Sequence, residues 1–261
     1  MKNIFLLLLI TITGASCTKD TAPTPNPLPA KRVVNINSSP GDYQAFEYNS
    51  SGHVTKYIAQ WANGTGTINK ITHTMEYSGS QLFKATNDVG FTMYDYQNNL
   101  PVKADNFLFS GKKISTLLFY YTPEKRLDYV IEQIAFPVAG GAEETKVSYE
   151  YYANGNVSRI DFAYRLHVTG PFEISFSKVF VEYDNQKKPE ADEVLGSYIG
   201  GIIIQKNNPL KINNLDKNGN VQGYSRYEYT YDAEGYPMQR KHFIAVGTIE
   251  QAPTIFQYTY Q

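Results

Sequence analysis

The amino-acid sequence predicts an all-β protein, an antiparallel meander of β-hairpins that forms one large curled sheet, half-barrel or barrel-like. From about residue 32 onward, apolar and polar residues alternate in short runs, which is the pattern of strands with one buried face. Clusters of Gly, Asn, Asp and Ser interrupt these runs and mark turns. Tyrosine supplies 22 of the 37 aromatic residues, and its ring suits a half-buried strand with the hydroxyl toward water. A β-sandwich is the alternative arrangement.

The first 16 residues have the pattern of a secretory signal peptide. Lys2 precedes an apolar segment over residues 4–13, which is too short to span a bilayer stably. Small residues 14–16 then lead to Cys17, the only cysteine of the chain. This junction resembles a lipobox, with Gly14 where leucine is usual, and the resemblance implies a lipid attached to Cys17. Ordinary secretion with an incidental cysteine is the alternative.

Residues 17–31 are predicted to be a lipidated, proline-rich linker. Four prolines between residues 18 and 31 make the segment stiff and extended, so that it holds the following domain away from the membrane. Asp20, Thr21 and Ala22 resemble the O-glycosylation site of some exported proteins of Gram-negative anaerobes, which implies a glycan on Thr21. Lys19 and Asp20 faintly resemble a surface-export signal of the same bacteria. The predicted organisation is therefore a signal peptide (1–16), a linker (17–31) and a single antiparallel β domain (32–261).

A turn motif recurs unevenly along this domain. In each copy an aromatic strand end is followed by Asn, Asp or Ser and then, in most copies, by Gly. Asn and Asp start a turn by bonding their own backbone, and Gly supplies the positive φ that closes it. The motif therefore predicts a degenerate series of β-hairpins. The copies lie at Tyr48, Tyr77, Leu108, Tyr151, Tyr183 and Tyr231.

The motif Tyr-x-Tyr-Asp-x-x-Gly, seen at residues 229–235, resembles the YD repeat of RHS-type proteins. Residues 206–212 and 227–237 resemble matching segments of a family of bacterial lipoproteins of the gut Gram-negative type, which have no assigned activity. The resemblance implies fold and location only. It indicates a cell-envelope protein, lipid-anchored in the outer membrane and either periplasmic or surface-exposed.

One segment departs from the β pattern. Pro189, the acids that follow it and Gly196 are start and stop signals of a helix, so we predict one short helix near 190–196. The apolar run at 198–204 follows, and we expect this insert to fill the hollow of the curled sheet.

The sequence contains no recognisable catalytic, metal or cofactor motif. The four histidines, His53, His73, His167 and His242, do not have metal-ligand spacing, and His53 is expected to face solvent. Residues 216–220 resemble a calcium loop, but Val221 and Tyr227 stand where Gly and Glu are needed, so a hairpin turn is predicted. Residues 196–200 match G-x-S-x-G only as letters, because they follow a predicted helix and not a strand.

Acidic and aromatic clusters were the remaining candidates for chemistry or binding. Glu143 and Glu144, in a Gly-rich loop, and the acids at 190–193 are predicted to be solvated. On the strand at 149–152, Tyr149 and Tyr151 should face one way, and Glu150 and Tyr152 the other. Dense aromatics of this kind form a core, and where exposed they suit a sugar or peptide platform.

The charge balance argues against nucleic-acid binding. Cleavage before Cys17 would leave 23 basic and 25 acidic residues. The predicted function is a non-enzymatic binding or structural module, attached to the membrane by its lipid, whose partner is a glycan, a peptide or an outer-membrane protein. The alternative is a hydrolase of extracellular polymers that uses two carboxylates. A pocket holding two acids within about 9 Å would favour the hydrolase.

Overall fold

The structure, a computed structural model, describes residues 31–63, 65–189, 202 and 204–261. Seventeen strands occur in these ranges, and every paired strand is antiparallel to its neighbour. They are β1 (Val33–Ser39), β2 (Asp42–Tyr48), β3 (Val54–Ala62), β4 (Ile68–Ser78), β5 (Gln81–Thr86), β6 (Gly90–Gln97), β7 (Leu100–Leu108), β8 (Lys113–Tyr121), β9 (Leu127–Ile134), β10 (Glu144–Tyr151), β11 (Val157–Arg165), β12 (Glu173–Tyr183), β13 (Pro209–Asp216), β14 (Val221–Tyr231), β15 (Pro237–Val246), β16 (Ile249–Glu250) and β17 (Thr254–Tyr260).

The sheet closes into a barrel. Each strand from β1 to β15 pairs with the next along the chain, and β1 also pairs with β17. The short β16 and the longer β17 both pair with β15, so they act as one interrupted strand of the wall. The predicted meander is confirmed in its barrel-like form, and the sandwich alternative is wrong.

The predicted helix near 190–196 lies outside the described residues. The ranges that the structure does describe contain no helix long and apolar enough to cross a membrane.

The two ends of the barrel differ in their connections. We call one end of the barrel the proximal end. The chain enters and leaves the barrel there, where the backbones of Arg32 and Gln261 bond to each other at 2.9 and 3.2 Å. Five of the six copies of the predicted turn motif also lie there, after even-numbered strands, whereas the Leu108 copy follows β7 at the opposite end. In the Asp232 copy, the backbone N–H of Gly235 donates to the carbonyl of Asp232, and Gly235 has φ +83°. The opposite, distal end is formed by the connections after the odd-numbered strands.

Tyrosine hydroxyls form a repeated set of bonds near the proximal end, which we call the tyrosine belt. Each hydroxyl donates to a backbone carbonyl at or next to the start of the preceding strand of the wall, at 2.6–3.3 Å. The pairs are Tyr48 to Val33, Tyr77 to Val54, Tyr121 to Pro101, Tyr151 to Leu127, Tyr183 to Val157, Tyr229 to Pro209 and Tyr260 to Pro237. The expectation that these hydroxyls point to water was wrong, because each satisfies a carbonyl at a hairpin end.

The hydrophobic core lies inside the barrel. It is formed by the side chains at every second position of the strands. Cross-strand neighbours share the interior face, as Phe46 and Tyr57 do with ring centroids 5.3 Å apart. Buried members include Ile36, Phe46, Tyr57, Met75, Leu82, Tyr94, Phe119, Val130, Tyr149, Ile160, Phe180, Ile212 and Tyr258. Tyr149 and Tyr151 pack inward while Tyr152 is exposed, which confirms the predicted alternation of that strand.

The end of the predicted insert is held by a buried amide. Asn156 is fully buried, and its side-chain oxygen accepts the backbone N–H groups of Lys206 at 2.7 Å and Asn207 at 3.1 Å. Ile202 and Ile204 pack against the core, which agrees with the expectation that the insert fills the hollow of the sheet, as far as this end of the insert is concerned. The rest of that expectation falls on residues outside the described part of the chain.

Candidate functional site: a cavity at the distal end

A cavity of about 420 Å³ opens inside the barrel wall toward the distal end. This volume falls within the range of small-molecule pockets, about 300–1,000 Å³. Strands β6 to β10 and the β5–β6 turn surround it. The lining residues are Asn87, Val89, Gly90, Phe91, Thr92, Asn106, Phe107, Ile114, Leu117, Phe119, Val130, Glu132, Val147 and Tyr149.

The inner wall of the cavity is apolar because it is part of the barrel core. Phe119 on β8 stands opposite Val130 on β9, and Val130 stands opposite Val147 on β10. Tyr149 follows on the same face of β10 and is 8% exposed, and this burial raises the pKa of its hydroxyl to about 12. An apolar ligand body would replace water against these side chains.

The outer lip is shaped by a tight turn. The side-chain oxygen of Asn87 accepts the backbone N–H groups of Val89 at 2.8 Å and Gly90 at 2.9 Å. A Cβ at Gly90 would lie 1.9 Å from the carbonyl oxygen of Phe107, so only glycine allows β6 and β7 to approach this closely. The rings of Phe91 and Phe107 stack next to this contact, 5.1 Å apart.

Polar side chains cross three strands beside the apolar wall. The hydroxyl of Thr92 donates to the side-chain oxygen of Asn106 at 2.6 Å, and the amide nitrogen of Asn106 donates to the hydroxyl of Ser115 at 2.8 Å. These bonds fix the orientation of the Asn106 amide.

Glu132 is the one carboxylate in the lining, and no Lys, Arg or His accompanies it there. Its register partners are Leu117 on β8 and Thr145 on β10. Its carboxylate makes no hydrogen bond or ion pair with any residue that the structure describes. The cavity therefore combines apolar and aromatic walls with a single uncompensated negative charge.

Exposed apolar side chains surround the same end of the barrel, and we call them the distal rim. They lie in or beside the distal connections and are 37–79% exposed. Exposed apolar surface that is gathered in one place marks interaction sites. The rim consists of Trp61, Ile68, Val89, Phe109, Ile114, Phe136, Val138, Leu166, Val168, Val221, Val246 and Ile249.

Several residues singled out from the sequence lie elsewhere. Cys17, Thr21, the acids at 190–193 and the G-x-S-x-G letters fall outside the described residues. Asp216 forms the predicted hairpin turn, in which its carboxylate accepts the backbone N–H groups of Asn218 and Asn220. Within the ranges described, no three His, Cys, Asp or Glu side chains are grouped closely enough to hold a metal ion.

Two expectations about exposure were wrong. Glu144 is 2% exposed and not solvated, because Arg165 pairs with its carboxylate on the outer face of the barrel. His53 does not simply face solvent, because its ring stacks on Tyr77 at 4.7 Å and its Nδ1 is buried. In both cases a neighbour from another strand, invisible in the local sequence, covers the polar group.

The cavity residues themselves were missed by sequence reasoning. The available signal was the period of two, which places Glu132 on the same face as the core residue Val130. The sequence does not say that the side chains around that acid leave a cavity.

The comparisons with known proteins show the fold alone. No protein-family model matches the chain, and no curated protein matches it in sequence. A porin-like protein from Bacteroides uniformis aligns with 88% of this chain and 98% of its own length, with 16% identity and a TM-score of 0.57. A porin-like protein from Bacteroides vulgatus aligns with 89% of this chain and 99% of its own, with 10% identity and a TM-score of 0.56. The chain therefore shares its antiparallel β-barrel fold with porin-like proteins of Bacteroides, while the YD-type resemblance stays a prediction.

Proposed function

We propose that this protein is a non-enzymatic binding protein of the bacterial cell envelope that takes a small amphipathic ligand into its distal cavity. The observation that carries the proposal is the cavity itself, a space of about 420 Å³ next to the core of the barrel. Apolar lining with a few placed polar groups is the usual character of a small-molecule site. The distal rim around the same end suits the approach of an apolar ligand.

The lining favours an apolar ligand body over a glycan. Leu117, Phe119, Val130 and Val147 offer no hydrogen bonds to sugar hydroxyls. A buried hydroxyl without a partner costs about 1–3 kcal/mol, so a polyhydroxylated ligand would bind poorly against this wall.

The same lining weighs against the hydrolase alternative. Glycoside hydrolysis of the usual kind needs two carboxylates, about 5–9 Å apart. The cavity contains Glu132 as its one acid. Binding without a reaction at the bound molecule is the function that this geometry supports.

The outer face of the barrel favours an aqueous location. Asp105 lies between Lys103 at 2.6 Å and Lys113 at 3.2 Å on this face, and Arg226 contacts Glu250 at 2.8 Å. Charges on a lipid-facing wall cost about 2–4 kcal/mol each near the bilayer midplane. We therefore propose that the barrel lies in water beside a membrane, in spite of its porin-like neighbours.

Attachment to the membrane is part of the proposal. A signal peptide that ends before Cys17 would leave a lipid there, and several acyl chains hold firmly because each buried methylene contributes about 0.8 kcal/mol. The linker would then separate the barrel from the outer membrane, and Thr21 would carry a glycan. Mass spectrometry of the mature protein tests both modifications, and an unlipidated N-terminus would remove the anchor from the proposal.

Ligand binding can be tested with a neutral apolar fluorophore, N-phenylnaphthylamine. We expect a saturable rise in its fluorescence with the wild-type barrel, and loss of that rise in Val147→Trp, which fills the cavity. Val181→Trp is the matched control, since Val181 is 47% exposed on the outer face of β12. Val147→Phe serves as a milder filling variant, and circular dichroism checks that each variant is folded. Absence of saturable binding to the wild type would overturn the proposal.

A further inference from the structure

We propose that the ligand of the distal cavity is a cation, an ammonium group on an apolar body, and that the carboxylate of Glu132 binds the ammonium. This inference rests on the proposed binding function and names the ligand class of the same site. It starts from the carboxylate of Glu132, which has no ion-pair partner among the residues that the structure describes.

On the outer face of the barrel, several acidic side chains form ion pairs with basic side chains. Glu144 is paired with Arg165, Asp161 accepts from Arg159 at 2.7 Å, and Asp105 is held by two lysines. Glu132 stands on the interior face instead, against Leu117, and has no partner among the residues described. A carboxylate beside an apolar wall is costly unless a cation or donors meet it.

Basic side chains near the cavity are engaged elsewhere. Lys146, on β10 between the interior positions Thr145 and Val147, points the other way and lies 4.1 Å from the ring centroid of Tyr129. Lys178 faces the interior on β12 and lies 5.9 Å from the ring centroid of Phe162. Neither lysine lines the cavity, so a cationic ligand would be the counter-charge nearest to Glu132.

The aromatic walls suit the same type of ligand. Phe119 and Tyr149 present their rings to the cavity from the interior face of the barrel. Aromatic faces attract ammonium groups by about 0.5–2 kcal/mol, in addition to packing against an alkyl or aryl body. A carboxylate ligand such as a fatty acid would meet repulsion from Glu132, so the site discriminates by charge among ligands of equal apolar size.

Three probes of matched length test this: octylammonium, octanol and octanoate, each used to displace N-phenylnaphthylamine from the full chain. We expect octylammonium to displace the fluorophore at about tenfold lower concentration than octanol, the size of one charge-assisted hydrogen bond. Octanoate should be the weakest. In Glu132→Gln the advantage of octylammonium over octanol should disappear while the fluorophore still binds.

The matched control is Glu150→Gln, because Glu150 is an exposed acid on the outer side of neighbouring β10. It should keep the wild-type order of the three probes. Equal displacement by all three probes in the wild type, or an ammonium preference that survives Glu132→Gln, would overturn the inference and leave the proposed function standing. Failure of the fluorophore to bind at all would instead count against the proposed function.

Discussion

The hydroxyl of Tyr183 donates a hydrogen bond to the carbonyl oxygen of Val157 at 2.8 Å, from the last residue of β12 to the first residue of β11. The other tyrosines of the belt repeat this bond around the proximal end. The belt positions therefore require tyrosine, and not simply an aromatic residue, because the ring fills the core and the hydroxyl satisfies a carbonyl at a hairpin end.

Tyr183→Phe is expected to lower the free energy of unfolding by about 1–2 kcal/mol, since the ring remains while a part-buried carbonyl loses its donor. Urea unfolding measures the difference. The control is Tyr120→Phe, in which the exposed ring of Tyr120 stacks on Tyr129 at 4.3 Å on the outer face. Equal losses in the two variants would show that the belt hydroxyl has no special role.

Alkaline pH should destabilise the barrel through its buried tyrosines. Burial raises the pKa of Tyr96 and of Tyr149 to about 12, above the value of about 10 in an unfolded chain. The folded state therefore keeps protons that the unfolded state releases, so this stability is complete below about pH 10 and is lost as the pH rises toward 12. Urea unfolding across this range measures the loss, and tyrosinate absorbance should rise later in the folded protein than in urea. Coincident titration curves would contradict the prediction.

The hairpins and their turns could be predicted because they depend on local chemistry. Alternation sets the strand faces, and Asp232 with Gly235 forms its turn within five residues. Closure of the barrel could not be predicted, because the pairing of β1 with β17 depends on twist and on register shifts accumulated at bulges along the whole chain. Burial of Glu144 was missed for a similar reason, since Arg165 reaches it from 21 residues away.

Gly90 controls the lip of the cavity. Gly90→Ala should cost more than about 2 kcal/mol, because its Cβ would overlap the carbonyl oxygen of Phe107 and push β6 from β7. Gly41→Ala is the matched control, since a Cβ there meets only ordinary contacts, the nearest being Ile68 at 3.6 Å. Thermal unfolding compares the two variants, and a Gly90→Ala melting temperature as high as that of Gly41→Ala would refute the close approach.

Removing only the cation of the buried Glu144–Arg165 ion pair should destabilise the barrel more than removing both charges. Arg165→Met leaves the buried carboxylate without its cation and should cost about 3 kcal/mol. The double variant Glu144→Leu with Arg165→Met removes both charges and should be more stable than Arg165→Met alone. Urea unfolding of the four proteins in this cycle gives the coupling energy. A double variant as unstable as Arg165→Met would mean that packing, and not the stranded charge, sets the cost.

His242 should make the barrel sensitive to mild acid. Its ring stacks on Tyr227 at 4.6 Å inside the barrel, and burial, aided by the charge of Arg240, lowers its pKa to about 4. An unfolded histidine takes up a proton near pH 6.5, so the stability from neutral His242 is present above that pH and is lost as the pH falls toward 4. After allowance for solvent screening the loss should be about 1–2 kcal/mol.

His242→Phe keeps the stacked ring and removes the titrating group, so its unfolding free energy should fall less between neutral pH and mild acid than that of the wild type. His73, which is 1% exposed and whose pKa burial also lowers, supplies a remaining part of the acid sensitivity. His167→Phe is the control, because the side chain of His167 is 80% exposed. If His242→Phe and His167→Phe lose stability in acid to the same extent as the wild type, the protonation of His242 is not what destabilises the barrel.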